Sequence, residues 1–279
     1  MPAPILADEP IPAMVADDAD WELRLRYFAL PVALLAAWLV AGSGLRFFLR
    51  TFLSMWVHES GHAIAAWLSG FGAFPGPWFT PVFEERSILV TVAFASACGW
   101  LVYRAWLERR FTFAVTGVAT LLVQAVCTLL PPQRVQAFII FSGDGGCFVL
   151  GTLLMASFYV RRNSQVFQNG LRWGFLMIGA AAFMDASKTW WGALRDLEQI
   201  PFGENVGMGC SDPTRLTEEF GWSIADMVHR YEWLSLICLV ILAAIYFFGV
   251  KEARNWLGNR EGRSLSSDKT QRTSRDGRS

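Results

Sequence analysis

The stretch Thr51-Phe-Leu-Ser-Met-Trp-Val-His-Glu-Ser-Gly-His-Ala-Ile-Ala-Ala-Trp-Leu-Ser-Gly-Phe71 decides how this chain is to be understood. It is apolar and about twenty residues long, the length that crosses a bilayer core, yet it carries His58, Glu59 and His62. Histidines four apart share one face of a helix, so their imidazoles can hold one metal ion. Glu59 is placed as a general base that takes a proton from metal-bound water. Ionisable groups at membrane depth cost a few kcal/mol each, so they face a protein interior and mark function.

Outward from this stretch, the composition is that of a membrane protein. Hydrophobic residues make up 53% of the 279 and charged residues 17%, more apolar than an ordinary soluble domain. The pattern predicts an all-α polytopic bundle of about seven transmembrane helices, near 27–44, 51–71, 87–107, 111–130, 137–158, 171–190 and 231–249. Leu45–Arg50 and Glu108–Arg110 read as tight links that fold neighbouring spans into hairpins. Gly72–Ser87, with Pro75, Pro77 and Pro81 among aromatics, reads as a re-entrant or interfacial loop. Residues 1–26 form an acidic tail, 27–250 the membrane domain with a polar loop over about 191–230, and 251–279 a basic tail of disordered composition.

A net charge of zero gives no sign of a nucleic-acid partner. Four of the five cysteines lie in apolar segments, which argues against a disulfide framework. With the N-terminus outside, 16 Lys and Arg fall on the inner side and 8 on the outer, so the C-terminal tail is expected in the cytoplasm. The acidic, proline-containing N-terminus does not resemble a cleavable signal peptide, and the first span is expected to remain as an anchor.

A catalytic zinc takes three protein ligands and leaves one position for water. His229, beside Arg230 at the end of the polar loop, reads as solvated. Asp144, in Phe141-Ser-Gly-Asp-Gly-Gly-Cys147, is the better third ligand: it lies inside the fifth span between glycines that permit close helix approach. Cys147 stands one turn away and reads as packing. Asp185 is a second intramembrane acid, expected to pair with Lys188, with a supporting group of the site or a rival third ligand as the alternative. Trp173, Trp190, Trp191, Trp222 and Trp233 read as interface anchors. Asp212-Pro-Thr-Arg-Leu-Thr-Glu-Glu219 reads as a capped helix start that shapes the loop.

A membrane-embedded His-Glu-x-Gly-His followed by an intramembrane Asp-Gly-Gly resembles the site-2 protease family of intramembrane zinc metalloproteases. The resemblance implies zinc held by His58, His62 and Asp144, Glu59 as catalytic base, and a transmembrane-helix protein cleaved within the bilayer. It covers two short segments and the multi-span hydropathy. Two features depart from the family pattern. Gln136 stands where the family has an asparagine, without the accompanying prolines. Two spans, 87–107 and 111–130, separate the ligand-bearing helices where the family has one, which makes those helices antiparallel.

Two rival functions remain open from sequence. One is a metalloprotease whose third ligand is a downstream glutamate, Glu198 or Glu204, cutting at the membrane surface. The other is a non-catalytic metal-binding scaffold or transporter built on the same His/Glu cluster.

Overall fold

The computed structural model describes residues 13–160, 164–205 and 209–276. It is all-α apart from two small ladders. The helices are α1 (Ala13–Ala41), α2 (Arg46–Leu49), a π-helical turn (Arg50–Ser54) that runs into α3 (Met55–Leu68), α4 (Ile88–Leu107), α5 (Phe111–Leu129), α6 (Pro132–Ala156), α7 (Gln165–Gln168), α8 (Leu171–Ala193), α9 (Asp212–Glu218) and α10 (Ile224–Asp276). The expected loop at 72–87 folds as an antiparallel hairpin, β1 (Phe71–Ala73) with β2 (Val82–Arg86). A second short ladder, β3 (Glu204–Asn205) with β4 (Gly209–Cys210), lies in the polar loop.

Among the described residues, four helices are long and apolar enough to cross a membrane, Asp20–Ala41, Ile88–Leu107, Pro132–Tyr159 and Ile224–Asn255, with a shorter apolar helix at Phe113–Leu129. Not all of the expected seven meet that length and composition. α3 has 14 residues of regular α-helix and is preceded without a break by the π-helical turn and α2, and α8 carries Arg172, Asp185 and Lys188 on an otherwise apolar helix. The tail, expected to lack structure, continues α10 through Asp276, and residues 13–26 of the acidic segment belong to α1.

Glycines set the core. Gly61 of α3 and Gly146 of α6 meet so closely that a Cβ on either would overlap the facing backbone, and Gly151 of α6 meets Gly179 of α8 in the same way. Backbones at this separation give many dispersion contacts where lipid would give no hydrophobic driving force.

Pairs along these contacts fix direction. Ser54 meets Cys147, His58 meets Asp144 and His62 meets Ile139, so α3 and α6 are antiparallel. Their direction follows the two intervening helices, not the parallel arrangement of the resembled family. α6 and α8 are antiparallel as well, since Gly151 faces Gly179 while Asp144 meets Trp190. α1 runs alongside α8, with Glu22 on Arg172 near one end and Arg46, just beyond α1, on Asp185 near the other.

It follows that α1 and α3 run the same way, in series, and the expected hairpin at Leu45–Arg50 is not formed. The physical reason is non-local. Arg46 Nε and Arg50 Nη1 donate to the two oxygens of Asp185 at 2.9 and 3.1 Å, and Arg46 Nη2 donates to Thr189 Oγ1 at 2.6 Å, which holds the connector against α8. Asp185 is thus paired with Arg46 and Arg50, while Lys188 is exposed.

At the far end a buried cluster ties four helices. Arg172 makes a two-pronged pair with Glu22 at 2.7 and 3.0 Å, Glu22 also accepts from Arg26, and Arg26 donates to the carbonyls of Tyr159, Val160 and Gly249. The start of α1, the end of α6 and the last apolar turns of α10 therefore share one end of the bundle. Seven full crossings would have separated Arg26 from Gly249. The polar loop containing α9 lies at the other end, where α8 stops and α10 begins.

Candidate metal centre

His58 and His62 emerge on the face of α3 that packs against α6, as their spacing requires, and both are buried. Each ring is held from behind. His62 Nδ1 lies 2.7 Å from the carbonyl oxygen of Ile139, and since a carbonyl only accepts, that nitrogen carries the proton. His58 Nδ1 lies 3.0 Å from Asp144 Oδ1, whose other oxygen accepts the indole N–H of Trp190 at 2.8 Å.

In front, the two Nε2 atoms converge to 3.2 Å, and Asp212 Oδ2 lies 3.1 Å from each. Nothing else could stand there. A Cβ on Gly143 would fall 2.6 Å from His62 Nε2 and 2.7 Å from His58 Nε2, so α6 must present a bare backbone to the two rings.

This triangle fits a metal ion better than a set of hydrogen bonds. Without a cation, at least one ring must carry protons on both nitrogens to donate forward, and a ring that does not donate turns its Nε2 lone pair toward the Asp212 oxygen 3.1 Å away. Neutral rings with forward lone pairs avoid this if a divalent ion lies between them. Ligands about 2.0–2.1 Å from a tetrahedral zinc are about 3.3 Å apart, close to the three edges observed here. Asp212 completes the donor set as an anion. In the metal-free centre burial alone would raise its carboxyl, but protonated imidazoles of His62 and His58 facing it outweigh burial and hold it far below the ordinary carboxylate range; with neutral rings, a divalent ion would take over that role.

Comparison with family models, curated proteins and solved structures returns no match. Assignment of roles therefore rests on the geometry.

Of the residues singled out from sequence, His58 and His62 come together as expected. Asp144 comes to the same centre but not to the same side. Its carboxylate meets the Nδ1 face of His58, turned away from the Nε2 pair, and both of its oxygens already accept hydrogen bonds. It also forms a second group of possible ligands with His58 and Cys147. That group excludes His62, and occupying it would displace the Nδ1 proton from between His58 and Asp144. Glu198 and Glu204 are exposed and join neither group. Gln136 is exposed on α6. His229 is exposed, with Nδ1 on the carbonyl oxygen of Ala225 at 2.9 Å. All five cysteines are free.

Glu59 follows His58 on α3 and is only 4% exposed. Its backbone carbonyl accepts from Thr80 of the β1–β2 loop at 3.0 Å. Among the described residues no hydrogen bond reaches its carboxylate. Its oxygens are not among the enclosed polar atoms that lack a partner, so the carboxylate reaches open space and is free to work on water or substrate.

Asp212 is the residue that sequence reasoning passed over. Ser211-Asp212-Pro213 does begin a helix, with the proline in its first turn. The Ser211 hydroxyl bonds Thr214 Oγ1, however, and the Asp212 carboxylate leaves the cap for the histidines. The one local signal is an acid beside a proline inside a loop too short to be a domain, which does not distinguish a ligand from a cap.

Gly143→Ala tests how tightly α6 is fitted to the rings. The added methyl should push His58 and His62 apart and lower the metal content of the purified protein about tenfold or more. Gly174→Ala, where a Cβ meets nothing within 4 Å, should leave it unchanged. Equal metal content in both variants would show that the rings tolerate displacement.

Proposed function

We propose that this chain is a polytopic membrane metallopeptidase in which His58, His62 and Asp212 hold one zinc ion and Glu59 is the general base. The observation that carries this reading is the 3.1–3.2 Å triangle of two Nε2 atoms and one carboxylate oxygen, with its proton positions set from behind and an unpartnered Glu59 one residue along the helix. A zinc ion bound there supplies a Lewis acid for a peptide carbonyl and acidifies a coordinated water.

The chain's own groups do the rest. Asp144 and the Ile139 carbonyl hold both rings by Nδ1–H, so that Nε2 points forward. Glu59 takes a proton from water as its oxygen attacks the peptide carbon, then delivers it to the departing amine as the C–N bond breaks. Asp212 brings one negative charge to the ion and ties the polar loop to the centre.

The bilayer as surroundings is supported by inverted polarity. Phe47, Phe48 and Phe52 are 69%, 57% and 63% exposed, while Arg46 and Arg50 beside them turn inward to Asp185. In water the charges would face out; in lipid this is the stable arrangement. A site reached through such surroundings suits a substrate peptide bond in or beside the membrane, in a transmembrane helix that unwinds locally.

Protein purified in detergent should contain about one zinc per chain and cleave a co-expressed single-span substrate, with cleavage lost on chelation and regained with zinc. Protein that never carries stoichiometric metal would overturn the proposal. Metal without cleavage would leave a binding scaffold or transporter as the better reading.

A further inference from the structure

Trp190 reads as a membrane-interface anchor in the sequence, but it is fully buried. Its indole N–H donates to Asp144 Oδ2 at 2.8 Å, on the carboxylate whose other oxygen holds His58 Nδ1 at 3.0 Å. The ring is fixed in turn. It stacks on Tyr231 of α10 at 4.0 Å and 25°, Tyr231 stacks on Phe141 at 4.3 Å and 20°, and the Tyr231 hydroxyl donates to the Phe141 carbonyl at 3.1 Å. Three helices thus converge on one carboxylate: α6 supplies it, α8 anchors one oxygen, and α10 holds the anchor.

A carboxylate with a single hydrogen bond can rotate about its Cβ–Cγ bond and change which oxygen it offers. One held at both oxygens cannot. Asp144 lies beside Cys147 and His58 in the competing ligand group, so its orientation decides whether it serves the back of the His58 ring or competes for the ion. We propose that Trp190 is a positioning residue of the metal centre, fixing Asp144 so that His58 keeps its Nδ1 proton and presents Nε2 to the ion. This deepens the metallopeptidase reading and rests on it.

The test is zinc affinity by competition with a chromogenic chelator, in a double-mutant cycle of Trp190→Phe and Asp144→Ala. Phenylalanine keeps a ring against Tyr231 and removes only the N–H donor and part of the indole. Trp190→Phe should weaken zinc binding about 10- to 100-fold in the wild-type background and cause no further loss when Asp144 is alanine, the signature of two residues acting as a unit. Trp190→His, which restores a ring N–H, should recover part of the affinity, and it keeps the test open should the phenylalanine variant fail to accumulate. Equal losses in both backgrounds, or none in either, would overturn the role and leave Trp190 as packing. Wild type without zinc would instead overturn the metal reading itself, so the two failures are distinguishable.

Discussion

Asp212→Ala should strip the metal from the purified protein, whereas Asp144→Asn should only loosen it. Among the described residues, Asp212 Oδ2 is the one carboxylate oxygen that reaches both Nε2 atoms, at 3.1 Å each. Without it two neutral imidazoles remain, too few for a catalytic site that needs three protein ligands. Asparagine at 144 still offers an oxygen to Trp190 or to His58, though not a charge, and changes to such supporting groups cost about 10- to 100-fold in metal affinity. Metal content after dialysis against a weak chelator separates the two: near zero for Asp212→Ala, partial for Asp144→Asn. The reverse order would restore Asp144 as the ligand and make Asp212 a charge at the mouth of the site. Because alanine at 212 leaves the Pro213 and Ser211–Thr214 contacts in place, loss of α9 should not confound the result.

The contrast between these two aspartates shows what the chain discloses locally and what it does not. His58, Glu59 and His62 are legible because their relation is set by one turn of helix, whatever the rest of the protein does. Asp144 is legible as a buried acid that needs a partner. Which nitrogen of His58 it would meet depends on how α6 crosses α3, and that crossing is set by Gly61 against Gly146, a contact between segments about eighty residues apart.

Asp212 lies further still along the chain, and its local sequence has a sufficient explanation as a helix start. The bundle shows the same limit. Hydropathy marks apolar segments well, but it places α1 and α3 as a hairpin because it cannot see Arg46 and Arg50 reaching Asp185. Trp190 likewise sits where interface tryptophans sit, and only the packing of α10 over it reveals a buried donor.

Glu59→Gln should leave zinc and fold intact and abolish cleavage. Glutamine has nearly the shape of glutamate, and the hydrogen bond from the β1–β2 loop to this residue ends on its backbone carbonyl, not its side chain. No ion pair is lost, because among the described residues nothing bonds the carboxylate. With no protein contact of the carboxylate lost, stability should hold, as thermal unfolding in detergent can verify. What disappears is proton acceptance: an amide cannot take the proton from the attacking water or return it to the amine. General-base catalysis contributes about 10²–10⁴-fold, so cleavage of a co-expressed single-span substrate should fall by at least about a hundredfold at unchanged metal content. Asp212→Ala loses both metal and cleavage, and Glu59→Gln loses cleavage alone. A Glu59→Gln protein that cleaves at the wild-type rate would remove the base from the mechanism, and with it the metallopeptidase reading.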